Sequence, residues 1–296
     1  MTDLAITSGG HAPGRLRRTG LGPQSLAGLA LVALPVGLLL TLTLWPTLRM
    51  VAATFLIDGH VSADRYSAFF HDSYSMANLR YTLEMGLVSA LTALVVSFGI
   101  ALYLRFSAGR IATMIHALSL FPLFVPSIII SYALVRFLGP NGLFQLILEQ
   151  VGFTHYRTPY LTPVGPFLAF VWENLPLPVL VLSAGLSQVS DHTVEAARDL
   201  GAKSGRILWE ILLPQMRRSL LIAFSLIFMG IIGAYTVPYM LGPAAPEMMS
   251  VYMQRTLGNL HDVDSAQVQA VVLMVISSIV GAFYIATMLK SSGGER

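Results

Sequence analysis

Long apolar stretches separated by short polar ones run through this chain of 296 residues. A helix needs roughly 20 mostly apolar residues to cross a bilayer. Six stretches reach that length, and they predict membrane-spanning helices at about residues 26–48, 80–104, 112–138, 164–186, 219–241 and 267–289. The third and fourth contain internal prolines, which favour kinks. Kinked helices either line a path or reflect irregular packing.

These stretches assign residues 25–290 to one membrane domain, followed by a tail at 291–296. Residues 1–24 carry Gly, Pro and Arg, and we expect them to form a mobile tail on the cytoplasmic side. Three arginines precede the first apolar stretch, as in a signal peptide. The stretch is longer than a usual signal sequence and lacks a small-residue cleavage site, so we expect an uncleaved helix.

Composition agrees with a bilayer as the solvent. The chain is 55% hydrophobic and 11% charged, whereas soluble domains are about 25% charged. The absence of cysteine excludes disulfides, thiolate zinc sites and a cysteine nucleophile. A pI near 9.3 is typical of nucleic-acid binding, but the basic residues lie at helix ends, so we expect no nucleic acid as a partner.

The distribution of basic residues predicts the orientation. Twelve of the 18 Lys and Arg residues lie at one set of helix ends and six at the other. Because cytoplasmic loops are enriched in Lys and Arg, both termini and the polar segment 187–218 are expected to be cytoplasmic.

Segment 187–218 is a polar island between two apolar stretches. Ser190 or Asp191 can cap a helix there, and Gly201 suits the left-handed position that ends one. A second short helix can begin at Ser204, and Pro214 fits the first turn of the next membrane helix. The segment therefore predicts two short helices at an angle, either a docking surface for another protein or an ordinary amphipathic surface element.

The island carries a spaced pattern: Glu195, Ala196 and Ala197, then Gly201, then Ile211, Leu213 and Pro214. This pattern resembles the EAA loop of permease subunits of bacterial ATP-binding-cassette (ABC) importers, and the resemblance extends over roughly residues 75–290. It implies an all-α membrane protein with six transmembrane helices and a cytoplasmic coupling helix, the type I importer permease fold. By that resemblance, the first four residues dock on an ATPase, and the last three anchor the loop to the fifth membrane helix.

The resemblance further implies a non-enzymatic transport subunit in the bacterial inner membrane. It would form half of the path of an ATP-driven importer that works by alternating access. The implied partners are two ATPase subunits, a second permease that we expect to be a different chain, and an extracytoplasmic substrate-binding protein. The chain has no G-x-x-x-x-G-K-[ST] sequence, so we expect ATP and Mg to bind to the partner ATPase.

Candidate path residues are two carboxylates and two aromatic residues within the apolar stretches: Glu173, Trp172, Tyr235 and Glu84. Intramembrane carboxylates are costly and suggest function. Each residue also has a structural interpretation. Glu84 could be an interfacial residue, and Trp172 could be a packing residue. Glu173 could belong to a buried pair or accept a hydrogen bond from a kinked backbone. The glycines beside Tyr235 fit close helix packing equally well.

Segment 233–239 resembles permeases of the polyamine, ferric-ion and aminoethylphosphonate importer group. A small polar solute is expected, with a polyamine as the first candidate and a phosphonate or ferric ion as alternatives. An ion-driven secondary transporter explains Glu173 but not the island. An intramembrane enzyme lacks a catalytic set, and no histidines are spaced as metal ligands.

Overall fold

The computed structural model describes residues 23–57, 59–153 and 158–289. The chain divides into two compact units, Met1–Ala53 and Thr54–Arg296. In the first unit the described structure is helix α1 (Pro23–Thr54), which contains Pro35 and Pro46. The expected tails lie outside the described residues, apart from the first two residues of α1.

The second unit begins with a short antiparallel ribbon in which β1 (Leu56–Ile57) pairs with β2 (His60–Val61). The described helices that follow are α2 (Asp64–His71), α3 (Ser73–Phe106), α4 (Arg110–Leu120), α5 (Ser127–Leu138), α6 (Leu143–Gln150), α7 (Val164–Glu173), α8 (Pro176–Ser187), α9 (Asp191–Asp199), α10 (Ser204–Ile207), α11 (Leu213–Ile232), α12 (Thr236–Leu241), α13 (Met249–Gly258) and α14 (Val263–Leu289). A 3₁₀ turn (Phe121–Phe124) follows α4, and a π-helical turn (Leu208–Leu212) joins α10 to α11.

The described residues contain five helical segments long and apolar enough to cross a membrane, or six if the bent pair α7–α8 counts as one. This confirms the predicted all-α membrane fold. The bend between α7 and α8 is 45°. It follows from Pro176, which begins α8 and has no N–H to continue the helix.

Two predicted spans were wrong in their bounds. The stretch 112–138 is not one helix, because the chain leaves helical geometry at Val125 before Pro126. The segment Ser127–Gln150 is the one long enough to cross. The stretch 219–241 is divided as well, since the helix that begins at Ser204 ends at Ile232 and α12 is separate.

Side chains from neighbouring helices bond to backbone carbonyls at two of these breaks. Ser250 of α13 donates to the carbonyl of Ala234 (2.5 Å), between α11 and α12. Ser97 of α3 donates to the carbonyl of Leu175 (3.3 Å), between α7 and α8, which also accepts from the Val179 amide (3.1 Å). Inside a bilayer an unpaired carbonyl is costly, so a bond such as that from Ser250 helps a broken helix to persist at membrane depth.

Helix α3 is the central element of the second unit. It packs against α7, α8 and α11, and its apolar residues contribute to three buried clusters along its length. Near its first residues, Asn78 accepts from the Glu247 amide (2.9 Å) and Thr82 from the Met249 amide (2.8 Å). We call the end of the bundle with these bonds the α13 end, and the end where α3 finishes the α9 end.

Candidate functional site

Helix α9 and the turn after it form a compact surface element at the α9 end. Val194 is buried against an apolar cluster that includes Leu186, Ile207 and Leu212. Glu195 and Leu200 are exposed, Leu200 to 90%. The element therefore has one face packed on the bundle and one face free for contact with another protein.

The end of α9 has the geometry of a Schellman motif. Gly201 has φ of +81°, its amide donates to the carbonyl of Arg198 (2.8 Å), and the Ala202 amide donates to that of Ala197 (2.9 Å). A residue with a side chain is strained at this φ, which explains the glycine. The predicted helix end is confirmed, and the next helix begins at Ser204 as predicted.

The beginning of α9 differs from the prediction. Ser190 occupies the N-cap position, but its side chain makes no capping bond. Asp191 does not cap the helix either. Its carboxylate accepts a hydrogen bond from Arg105 at the end of α3. The same guanidinium donates to the carbonyl of Val189 (2.9 Å), so a residue on another helix fixes the start of α9.

A second contact joins α9 to α3. The guanidinium of Arg198 lies over the ring of Phe106, 5.6 Å from its centroid. Cation–π contacts of this kind occur within about 6 Å. Helix α9 is thus held to the last turn of α3 near both of its ends.

The second predicted short helix is not separate. Helix α10 passes through the π turn directly into α11, so Ser204–Ile232 is one long helical segment. Pro214 lies in the first turn of α11, as predicted, although α11 is continuous with the helix before it. Proline cannot donate a helical hydrogen bond, and the π turn ends at Leu212, shortly before it in the chain. Ile211 and Leu213 are half-buried, and Pro214 is exposed.

A polar cavity of about 270 Å³ lies among three helix breaks. It is lined by Ser127, where α5 begins; by Glu173, the last residue of α7, and Asn174, which follows it; and by Tyr235, between α11 and α12. Non-helical backbone at membrane depth occurs where it lines a cavity or is buried in protein, and transporter binding sites use discontinuous helices in this way.

Each of the polar or aromatic side chains described here has a partner that fixes its position. Glu173 is half-buried and accepts a hydrogen bond from the hydroxyl of Ser127. Asn174 donates to the carbonyl of Phe170 (2.9 Å). The ring of Tyr235 stacks on that of Tyr239, with centroids 5.2 Å apart. The cavity can therefore offer a carboxylate, an amide and an aromatic ring to a solute.

The other two candidate path residues do not line this cavity. Trp172 packs edge-on against Phe121, with ring centroids 6.4 Å apart. Glu84 is exposed and pairs with Arg80 of the same helix at 2.6 Å. It lines a separate, mostly apolar groove. The structure thus brings together Glu173 and Tyr235 alone among the four residues.

Sequence reasoning missed Ser127, Asn174 and Arg105. The first two are polar residues within two positions of helix-breaking prolines in apolar stretches, and that local signal could have identified them. Arg105 was counted only as a basic residue at a helix end. Nothing local in the sequence connects it to Asp191, which lies 86 positions later.

A second polar cluster lies at the α13 end. Glu247 is buried and pairs with Arg255 at 2.5 Å. The Arg255 guanidinium lies over the rings of Tyr74 and Tyr252. Burial raises the pKa of Glu247 above its usual value, and the charge of Arg255 partly opposes that rise. The pair secures the loop before α13 to the beginning of α3.

Comparisons with known proteins agree with this geometry. Residues 93–292 match the family described as binding-protein-dependent transport system inner membrane component. The spermidine/putrescine transport system permease protein PotB of Salmonella typhimurium (strain SL1344) is 23% identical over 258 residues, 84% of this chain and 89% of that protein. The molybdenum transport system permease protein ModB of Azotobacter vinelandii is 25% identical over 194 residues, 66% of this chain and 84% of that protein.

Solved structures show the same fold. A chain of a bacterial alginate ABC transporter, crystallised in complex with an alginate pentasaccharide-bound periplasmic protein, has a TM-score of 0.75 at 16% identity. The match covers 90% of this chain and 96% of that one. A chain of the MetNI methionine ABC transporter in inward-facing conformations has a TM-score of 0.54 at 15% identity, over 77% of this chain and 99% of that one.

Proposed function

The chain belongs to the family of binding-protein-dependent transport system inner membrane components, and we propose that it forms half of the translocation path of an ATP-driven importer. It is a multi-pass inner-membrane protein and a permease subunit of an ABC importer. In this proposal a partner chain hydrolyses the ATP, so the permease needs a surface on which that partner docks.

The observation that carries the proposal is α9 with its Gly201 turn. At the α9 end this membrane protein has a short helix with one buried face and one exposed face. We propose that this helix is cytoplasmic and docks on the ATPase through Glu195, Ala196, Ala197 and Gly201. The small alanine side chains allow close approach. ATP and Mg bind to that partner, and Ile211, Leu213 and Pro214 connect the element to α11.

The contacts of α9 with α3 support a route for coupling. Closure of the ATPases would move α9, and Arg105 and Phe106 would pass that movement to α3. Because α3 packs against α7, α8 and α11, its displacement would change the shape of the cavity beside Glu173. In this proposal, that change in cavity shape is how the subunit alternates access to the solute.

The full assembly in this proposal contains two ATPase subunits and a second permease of different sequence. A substrate-binding protein docks at the α13 end, which is the extracytoplasmic side. The alginate transporter, with a periplasmic protein in its crystal, supports this arrangement by similarity of fold. Both termini are then cytoplasmic.

The cavity beside Glu173 is the proposed solute site, and the solute we propose is a polyamine. A carboxylate and a stacked tyrosine pair favour an ammonium group through charge and cation–π attraction. Similarity to PotB points the same way. One observation favours an anionic solute instead: α5 begins at Ser127 beside the cavity, and helix N-termini attract anions.

The test is solute uptake by proteoliposomes that contain this chain together with its second permease subunit and its ATPase subunits. We expect uptake of radiolabelled spermidine to require ATP inside, the binding protein outside, and co-purification of the ATPase. Uptake that needs no ATPase and stops with a proton ionophore would replace this proposal with a secondary transporter. Uptake of molybdate but not of spermidine would show that the transported solute is an anion and not a polyamine.

A further inference from the structure

The side chains of the Glu173 cavity offer mainly hydrogen-bond acceptors to a solute. Among the described residues, its lining includes no lysine, arginine or histidine. The hydroxyl of Ser127 is already used, because it donates to Glu173 Oε1. Ser127 is the first residue of α5, so the Glu173 carboxylate itself supplies the negative charge that this helix N-terminus attracts. The cavity therefore suits a solute that donates hydrogen bonds better than it suits an anion.

Asn174 has one of its two polar side-chain atoms committed to the backbone. Its Nδ2 donates to the carbonyl of Phe170 (2.9 Å), one turn earlier in the chain, and this bond decides which end of the amide is the oxygen. Asn174 Oδ1 accepts no hydrogen bond from the described residues and keeps accessible surface. The same is true of the second carboxylate oxygen of Glu173. Two neighbouring residues thus each have an acceptor that is open to a ligand.

Gly230 of α11 leaves room in front of the Asn174 oxygen. It lines the same cavity and is exposed. A Cβ added to Gly230 would lie 3.5 Å from Asn174 Oδ1, which is ordinary van der Waals contact. An alanine at this position would therefore fit the fold but would cover the acceptor.

We propose that Asn174 makes this cavity selective for ammonium groups that carry N–H bonds, as primary and secondary amines do, over quaternary ammonium groups. The charge of Glu173 and the ring of Tyr235 attract both kinds of cation. Only a group with N–H bonds can also donate to Asn174 Oδ1. A quaternary group would cover this oxygen and leave it without a partner, which is unfavourable. The selectivity rests on the proposed function, because the cavity is the solute site assigned there.

The experiment uses the complex of this chain with its second permease and its ATPase subunits in lipid nanodiscs. The binding protein is omitted, so that the membrane subunits alone select the probe. The probes are putrescine and its analogue with three methyl groups on each nitrogen, which keeps both charges and the carbon chain between them. Equilibrium dialysis of the radiolabelled probes measures the two dissociation constants. We expect putrescine to bind several-fold more tightly than the methylated analogue.

Two variants separate hydrogen bonding from charge and size. Asn174→Leu keeps the approximate size of the side chain and removes the acceptor, so it should weaken putrescine binding several-fold and leave the methylated probe unchanged. Glu173→Gln removes the charge and should weaken both probes. If the preference for putrescine is the same in Asn174→Leu as in the wild type, it comes from size alone and the proposal is overturned. If Glu173→Gln weakens neither probe, the cationic solute proposed for the cavity is overturned together with this selectivity.

Gel filtration monitors assembly of each variant. If Asn174→Leu does not assemble, Gly230→Ala decides the question, because it covers Asn174 Oδ1 and keeps the bond to Phe170. It should weaken putrescine binding several-fold. Gly233→Ala, the same change on a residue outside the cavity lining and with open space around its Cβ position, should leave binding unchanged. Putrescine binding at the wild-type level by Gly230→Ala would overturn the proposal.

Discussion

The carboxylate of Asp191, the first residue of α9, is bound by the guanidinium of Arg105, next to the last residue of α3. The Asp191 side chain is 69% exposed and that of Arg105 21% exposed. Exposed ion pairs contribute only about 0–1 kcal/mol to stability. The pair therefore matters chiefly for the angle that α9 makes with α3.

We expect Asp191→Asn to shift the Tm of the purified chain by no more than about 4 °C. In the reconstituted complex the variant should lower solute uptake several-fold relative to ATP hydrolysis, because the start of α9 loses one of the contacts that fix it to α3. Asp199→Asn makes the same charge change at the other end of α9 and should preserve the ratio. Equal ratios in both variants would show that the Arg105 contact has no role in coupling.

Gly201 tests the docking role of the α9 turn. Placing an L-residue at its left-handed φ costs roughly 1–2 kcal/mol, and a β-branched residue is disfavoured further. Gly201→Val should therefore abolish uptake and weaken pull-down of the ATPase, while membrane insertion stays normal. Gly205→Val is the matched control, because Gly205 lacks a positive φ and a Cβ there meets open space. Glu195→Arg should resemble Gly201→Val. Uptake at the wild-type rate by Gly201→Val would show that the α9 turn does not dock on the ATPase.

Glu173 and Ser127 separate a path role from a structural one. If Glu173 faces a cationic solute, Glu173→Gln should lower uptake at least tenfold and leave ATPase binding intact. Ser127→Ala removes the hydrogen bond but keeps the carboxylate, so its uptake should fall much less. Radiolabelled uptake and gel filtration of the complex measure the two effects. Poor assembly of both variants would identify the pair as structural, and full uptake by Glu173→Gln would exclude the path role.

Sidedness can be measured because the chain has no native cysteine. A cysteine in place of Lys203, in the α9 turn, should be protected from membrane-impermeant maleimide in intact cells. A cysteine in place of Asp262, just before α14, should be labelled. Both should react after permeabilisation. The opposite pattern in intact cells would invert the proposed orientation.

The first turn of α14 should respond to acid. Asp262 accepts from the Ser265 amide (3.0 Å), and the bonds from Ser265 lower the pKa of Asp262 below the ordinary value of 3.8. A lowered pKa in the folded state adds stability above pH 3.8, which is lost as pH falls through the folded pKa. Amide exchange in this turn, corrected for intrinsic rates, should therefore lose protection below about pH 4. Asp262→Asn keeps an acceptor but does not titrate, so its protection should be independent of pH there.

Features set by neighbouring residues could be read from the sequence. The end of α9 at Gly201 and the start of α10 at Ser204 follow from local backbone preferences, and both were predicted. The apolar stretches likewise predicted six spans, and the described residues contain five, or six if the bent pair α7–α8 counts as one. Length and composition decide whether a helix can cross a bilayer, so this count is close to the prediction.

Features set by distant residues could not be read in this way. Ser127 meets Glu173 across 46 positions, and packing alone decides that pairing. The continuity of α10 with α11 also escaped prediction, because Pro214 favours a boundary locally and the π turn removes it. The functional roles of Glu173 and Tyr235 stay predictions.

Helix α3 also has a mechanical consequence. At 34 residues it is continuous over about 50 Å, whereas the segments around it are interrupted at Val125, Asn174 and Gly233. The continuous helix α3 is therefore the stiff element, and the interrupted helices around it are the compliant ones. In the coupling route proposed above, a push delivered at Arg105 would be carried along α3 to Asn78, and the interrupted helices would yield beside Glu173. Inserting a flexible glycine pair in the middle of α3 would then make this helix compliant, and the proposal expects ATP hydrolysis to continue without solute uptake.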